Sequence, residues 1–140
     1  MTNAAGQPEP DDFYDDDLTR RVIGCAITVH RTLGCGLLEA AYDECLAYEL
    51  AKNGFGVERH AAMPVIYDGV RIDLAYKPDF VINGELIVEL KTVSQLLPVH
   101  EAQLLTYLRL SGIRRGLLMN FNSQQLVKGI KRMILSCRSL

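Results

Sequence analysis

Two segments near the start of the chain carry apolar residues at helical spacing. The first covers residues 17–33, with Asp17 as a possible N-cap and with Gly34 and Gly36 just beyond its end. The second covers residues 38–53 and stops at an Asn-Gly pair. Its predicted buried stripe is Leu38, Ala41, Cys45 and Tyr48. The folded part of the chain is therefore expected to begin with a pair of helices.

Extended segments follow at residues 57–67, 70–82 and 86–93, where β-branched and aromatic residues are frequent. An Asp-Gly pair separates the first two segments and an Asn-Gly pair separates the second from the third, and both pairs favour hairpin turns. Pro64 has no backbone N–H to donate, so the first segment is expected to be an edge strand or a bulged one.

The last third of the chain predicts one more helix and one or two more strands. Pro98 opens a helix over residues 99–110, and residues 116–121 form an apolar strand. Residues 129–135 fit either a strand or a helix, and we favour a strand. The order of elements predicts an α/β fold, with a central mixed β-sheet flanked by helices.

Charge is distributed unevenly along the chain. The formal net charge is −2, but residues 1–17 hold six acidic residues and no Lys or Arg. The remainder has 15 basic and 11 acidic residues, a surplus of four positive charges that suits a polyanionic partner. Residues 1–16 are too polar to bury a core, so we expect a disordered acidic tail followed by one domain at residues 17–140.

The four cysteines, Cys25, Cys35, Cys45 and Cys137, form no CxxC pair and have no matching histidine spacing. They are expected to be reduced and mostly buried, and not to bind zinc. The sequence contains no signal-peptide pattern and no apolar run long enough to span a membrane. A cytoplasmic protein is the simplest expectation, and nothing in the sequence specifies an oligomeric state.

Glu89 and Lys91 are candidate site residues. They lie two apart on a predicted strand and therefore project from the same face. Whether Asp79 lies close to Glu89 and Lys91 depends on the turn at the Asn83-Gly84 pair, which precedes their strand. A two-residue loop pairs Asp79 with Val88. A three-residue loop over residues 83–85 pairs Asp79 with Glu89 instead, and it places apolar residues opposite apolar residues along the rest of the two strands. We favour the three-residue loop. Two facing carboxylates repel, so a cation should lie close to them.

A seven-residue stretch, Gly36-Leu37-Leu38-Glu39-Ala40-Ala41-Tyr42, resembles the motif of the GxxExxY proteins, a family grouped with the PD-(D/E)XK nuclease superfamily. The resemblance spans roughly residues 18–135 and includes Val88-Glu89-Leu90-Lys91 and His100-Glu101-Ala102-Gln103. Cys35 stands where the family is expected to have proline.

This resemblance implies a restriction-endonuclease-like core that hydrolyses phosphodiester bonds in DNA or RNA. Asp79 and Glu89 would bind Mg²⁺ or Mn²⁺, and Lys91 would position the attacking water. Glu39 would complete the site, and Gln103 would contact water or phosphate. The alternative is a catalytically silent module with the same fold that binds nucleic acid or a protein partner.

Three further polar residues are better explained by structure than by chemistry. Tyr42 is expected to pack beneath Glu39, His30 lies on an apolar helix, and His100 belongs to a polar helix face. None of the three is assigned to the site.

Overall fold

The computed structural model describes residues 16–74 and 76–135. Within these residues three α-helices form where the pattern predicts them: α1 (Asp17–Leu33), α2 (Glu39–Lys52) and α3 (Pro98–Ser111). None of them is long and apolar enough to cross a membrane. The acidic tail predicted over residues 1–16 lies outside the described residues except for Asp16, and so do the end of the predicted domain and Cys137.

The N-cap of α1 is Asp16, so the prediction of Asp17 was wrong by one residue. The Asp16 carboxylate accepts hydrogen bonds from the Thr19 N–H (3.1 Å) and the Thr19 hydroxyl (2.6 Å). A cap residue must keep an extended backbone so that its side chain can reach the free amides of the first turn. Asp16 has that backbone, whereas Asp17 is already helical.

The buried face of α2 differs from the predicted stripe. Tyr42, Leu46 and Leu50 are fully buried, whereas Leu38 is 81% exposed and Tyr48 is 69% exposed. Leu38 lies in the N-cap position, outside the helical spacing on which the predicted stripe depended. The Tyr42 hydroxyl can be buried because it donates to the Gly34 carbonyl (2.6 Å) and accepts from the Leu37 N–H (3.2 Å).

A five-stranded mixed sheet forms the centre of the fold, which confirms the α/β prediction. In spatial order its strands are β1 (Val57–Arg59), β4 (Phe80–Ile82), β5 (Leu86–Lys91), β6 (Arg115–Asn120) and β7 (Ile130–Ile134). Only the β5–β6 pair is parallel, and α3 connects these two strands. The final segment is the strand that we favoured, preceded by a short 3-10 helix.

Two predicted strands are each divided in the structure. The segment over residues 57–67 contains β1 and a second strand, β2 (Val65–Tyr67), and the segment over residues 70–82 contains β3 (Val70–Ile72) and β4. The chain leaves the main sheet after β1, where His60 has a left-handed backbone with φ 51°. Strands β2 and β3 form a separate hairpin around the predicted Asp-Gly turn.

The two faces of β5 pack against different helices. Leu86, Val88 and Leu90 belong to a core shared with α1 and α2, whereas Ile87 belongs to a smaller core with Leu104 and others from α3. This alternation confirms the prediction that the even and odd positions of β5 face opposite sides. Glu89 and Lys91 therefore lie on the side that α3 covers.

Candidate active site

The turn between β4 and β5 has the three-residue loop that the apolar pairing favoured. Phe80 faces Val88, Val81 faces Ile87 and Ile82 faces Leu86, which confirms the predicted register. Asn83 in this loop accepts a hydrogen bond from the Gly56 N–H (2.8 Å), so the turn is also fixed to the chain entering β1. Asp79 directly precedes β4 and therefore comes opposite Glu89.

Two crossed hydrogen bonds tie the Asp79 and Glu89 carboxylates to the backbone of the facing segment. The Asp79 N–H donates to Glu89 Oε1 (2.5 Å), and the Leu90 N–H donates to Asp79 Oδ2 (2.8 Å). These bonds hold both carboxylates in place at the point where the β4–β5 ladder ends. Each bond uses one oxygen of a carboxylate, which leaves Asp79 Oδ1 and Glu89 Oε2 outside this pair of contacts.

The surroundings of these two carboxylates disfavour their ionised forms. Glu89 is 3% exposed, and burial together with the nearby Asp79 raises its pKa to about 8. Burial also raises the pKa of Asp79, although the hydrogen bond from the Leu90 N–H opposes the change. The Lys91 ammonium acts in the lowering direction at both groups without cancelling the increase. A cation at this position would favour the ionised forms.

Lys91 is held by a hydrogen-bonded chain that begins on α3. Its Nζ donates to Gln103 Oε1 (2.8 Å), and Gln103 Nε2 donates to the Tyr107 hydroxyl (3.2 Å). Tyr107 is buried, and its pKa is raised by that burial and then by Glu89. The structure thus brings Gln103 to Lys91, and the Lys91 charge acts on both Asp79 and Glu89.

Glu39, the acid that was predicted to join the site from a helix, lies at the rim of the same cleft. It lines a cleft with Asp79, and its pKa is raised by partial burial and then by Asp79, while Lys91 opposes the change. The structure therefore places Glu39 near Asp79, as the sequence predicted.

The three residues predicted to be structural have structural contacts. Tyr42 is fully buried, and His30 is almost buried and makes a 2.8 Å hydrogen bond to the Ser123 carbonyl. His100 accepts a hydrogen bond from the Leu97 N–H (2.9 Å) and so caps the start of α3.

Asp43 and His60 also line the cleft, and neither was predicted from the sequence. His60 Nε2 lies 3.3 Å from Asp43 Oδ2, and His60 Nδ1 lies 3.7 Å from Asp79 Oδ1. With Asp79 they form a group whose ligand atoms all lie within 4.8 Å of one another and that could hold a metal ion. Asp43 comes four residues after Glu39, so their positions share one face of α2. That spacing was the available signal, since nothing local marks His60.

A model of the PD-(D/E)XK nuclease superfamily matches residues 16–133 of the chain. The chain belongs to this superfamily. Its mixed five-stranded sheet with three helices, counted over the described residues, is consistent with a restriction-endonuclease-like α/β fold. PD-(D/E)XK nucleases generally depend on a divalent metal. No curated protein and no solved structure shows significant similarity to the chain.

Two overlapping sets of residues could thus bind a cation in this PD-(D/E)XK domain: Asp79 with Glu89, or Asp79 with Asp43 and His60. The second set already holds a positive charge, because the Arg59 guanidinium contacts the Asp43 carboxylate and lies 3.0 Å from Glu44. In the first set, burial and then the nearby Asp79 raise the pKa of Glu89 to about 8, so a bound cation would favour its ionised form. We therefore favour Asp79 and Glu89, and Asp79 belongs to either set.

Proposed function

We propose that this protein is a nuclease that uses Mg²⁺ or Mn²⁺ to hydrolyse phosphodiester bonds in DNA or RNA, and that it is a GxxExxY protein within its superfamily. The observation that carries the proposal is the cross-strand pair of Asp79 and Glu89 with Lys91 on the same face of β5. The basic surplus outside the first 17 residues supports a polyanionic substrate.

The donor set fits a hard divalent cation. Asp79 and Glu89 offer carboxylate oxygens, the ligands that Mg²⁺ prefers, and each has one oxygen outside the crossed hydrogen bonds. Burial raises the pKa of both carboxylates, and a bound cation would favour their ionised forms, which supports a cation at this position. Such a cation, when bound, supplies polarisation of the phosphate and a lower pKa for water.

The chain's own residues then orient the reactants and balance charge. Lys91 lies on the same face of β5 as Glu89, and its ammonium acts on both carboxylates; there it can orient a water and stabilise negative charge that develops on a phosphate. Gln103 fixes that ammonium through its 2.8 Å hydrogen bond, so it acts as a positioning residue. Glu39, at the rim of the cleft, is proposed to complete the anionic wall on the side of α2.

The first prediction tests Lys91 directly. Lys91→Ala should lower metal-dependent cleavage of DNA or RNA by about 100-fold or more, in line with the loss of one group that stabilises the transition state. Metal affinity should stay equal or increase, because a competing cation has been removed. Cleavage and metal binding would be measured on the same preparations at fixed salt, across single- and double-stranded DNA and RNA.

Lys52→Ala is the matched control, since Lys52 is an exposed lysine at the end of α2, paired only with Glu49 at 3.9 Å among the described contacts. It should cleave like the wild type. A wild-type protein that binds nucleic acid but cuts none of the substrates with Mg²⁺ or Mn²⁺ would instead support the catalytically silent module.

A further inference from the structure

The imidazole of His60 belongs to the wall of the cleft beside Asp79. His60 directly follows β1, and its backbone N–H donates to the Asp79 carbonyl (3.2 Å). Its φ of 51° lies in the left-handed region, which residues other than glycine seldom adopt. The chain leaves the main sheet at this residue, and the side chain of His60 lines the cleft. The backbone thus fixes the imidazole relative to one carboxylate of the proposed cation site.

A buried carboxylate holds one ring nitrogen of His60. His60 Nε2 lies 3.3 Å from Asp43 Oδ2 and 3.4 Å from Asp43 Oδ1. Asp43 is 7% exposed, and the Arg59 guanidinium, which also contacts Glu44, offsets its charge. An ionised carboxylate can only accept a hydrogen bond, so Nε2 carries the proton of this contact. Arg59 therefore orients Asp43, and Asp43 orients the imidazole.

The other ring nitrogen faces the Asp79 oxygen that lies outside the hydrogen bond to Leu90. His60 Nδ1 is 3.7 Å from Asp79 Oδ1, too far for a hydrogen bond, while Asp79 Oδ2 accepts from the Leu90 N–H. With the proton on Nε2, Nδ1 of a neutral imidazole is an acceptor, so it opposes another acceptor across this gap. A cation between the two atoms would convert that opposition into coordination.

The gap between His60 Nδ1 and Asp79 Oδ1 is within the span of one metal ion. Imidazole nitrogens and carboxylate oxygens lie about 2.0–2.2 Å from a bound metal such as zinc, so two of them can be up to about 4 Å apart. A histidine that binds a metal usually donates its other N–H to a carboxylate or carbonyl, which is the position of Asp43 here. The contacts of His60 are therefore those of a metal ligand with its supporting carboxylate.

We propose that His60 Nδ1 is a ligand of the cation that Asp79 binds, with Asp43 as its positioning residue, and that this imidazole makes the site prefer Mn²⁺ to Mg²⁺. The cation is that of the proposed function, on which this role of His60 rests. Mg²⁺ prefers oxygen ligands, whereas imidazole nitrogen suits transition-metal ions. Mn²⁺ accepts carboxylate oxygens as well, so a mixed set of ligands favours Mn²⁺ over Mg²⁺.

The test compares the Kd values of Mn²⁺ and Mg²⁺ for the full chain by calorimetry, without any nucleic acid. Wild-type protein should bind Mn²⁺ about tenfold or more tightly than Mg²⁺. His60→Asn removes the imidazole and introduces a residue that tolerates the left-handed backbone. This variant should bind Mn²⁺ about tenfold or more weakly than the wild type. Its Mg²⁺ binding should change little, because Mg²⁺ gains little from the imidazole.

A spectroscopic measurement separates metal binding by His60 from a purely structural role. Pulsed EPR of the Mn²⁺-loaded wild type should show magnetic coupling to an imidazole nitrogen, and His60→Asn should abolish that coupling. The wild-type spectrum is informative even if a variant fails to fold. Asp43→Asn should also weaken Mn²⁺ binding, because the imidazole loses the charge that orients it. His100→Asn, the same change at a histidine that caps α3, should leave both Kd values and the coupling unchanged.

Two different results would contradict this role of His60. If Mn²⁺ binds the wild type without nitrogen coupling, and binds His60→Asn with the same Kd, His60 is not a ligand, and the cation site at Asp79 and Glu89 stands without it. The imidazole would then be protonated and pair with Asp43 and Asp79 as a cation itself. If neither ion binds the wild type, the cation of the proposed function is absent, and the role of His60 falls with it.

Discussion

At the scale of single residues, Glu89 is the most heavily perturbed group of the site. Its carboxylate is almost excluded from solvent and close to Asp79, and the two effects raise its pKa from 4.5 to about 8. Asp79 contributes a hydrogen bond from its own backbone N–H, which acts in the opposite direction. Without a bound cation, the folded protein therefore keeps a proton on Glu89 at neutral pH that the unfolded chain releases.

This difference predicts how the stability of the metal-free protein depends on pH. Because the folded state binds the proton more tightly, the free energy of unfolding should fall as pH rises from about 4.5 to about 8. Glu89→Gln removes this dependence, so the variant should exceed the wild type by up to a few kcal/mol at pH 8.5 and match it near pH 5.

Urea unfolding in EDTA at several pH values would measure this effect. Glu58→Gln is the control, since Glu58 is exposed on β1 and should show no such change. A difference between Glu89→Gln and the wild type that is the same at every pH would contradict the raised pKa.

At the scale of elements, the spacing between α3 and the sheet depends on a glycine in β6. A Cβ on Gly116 would meet the Leu104 side chain at 2.9 Å, closer than packed atoms allow. Leu104 lies on α3 next to Gln103, the residue that holds Lys91. The distance between helix and sheet therefore also affects the position of the ammonium.

Gly116→Ala should consequently lower the free energy of unfolding by about 1–3 kcal/mol through overpacking. Gly24→Ala provides a contrast on α1, because nothing lies within 4 Å of the added methyl group. That change should stabilise the helix by up to about 1 kcal/mol. Denaturant unfolding would measure the free energy of unfolding of both variants. Equal changes in that free energy would mean that Leu104 moves aside without cost.

The local pattern of apolar and polar residues was sufficient to predict some elements of this protein and insufficient to predict others. The β4–β5 register followed from matching apolar residues, because a shift by one residue would expose a whole buried face. The predicted buried stripe of α2 was wrong because no local pattern shows that the Tyr42 hydroxyl donates to the Gly34 carbonyl, the hydrogen bond that allows Tyr42 to be buried. His60 was missed because its contacts with Asp43 and Asp79 arise only after α2 meets the sheet.

At the scale of the whole molecule, the cation site proposed at Asp79 and Glu89 would couple folding to metal binding. A cation that binds the folded site and not the unfolded chain stabilises the protein by mass action, about 2.7 kcal/mol at 100 times its Kd. We therefore expect the melting temperature to rise by several degrees in saturating Mg²⁺ or Mn²⁺.

Asp79→Asn should abolish this increase, and it should raise the melting temperature of the metal-free protein by removing one of the clustered charges. Asp68→Asn is the control, since Asn tolerates the left-handed backbone of this turn position, φ 51°. Thermal unfolding with and without each metal would make the comparison. A melting temperature indifferent to both metals would count against any cation site at Asp79.

The hydrogen bonds that the Asp79 and Glu89 carboxylates accept from backbone N–H groups also bear on which ion the protein can select. Each carboxylate has one oxygen that already accepts a hydrogen bond from a backbone N–H, which favours metal binding through the other oxygen over binding through both. Ca²⁺ takes six to eight oxygen ligands and often binds carboxylates through both oxygens, whereas Mg²⁺ keeps several of its own waters. We therefore expect the backbone itself to discriminate by ion size, so that calcium competes poorly with magnesium.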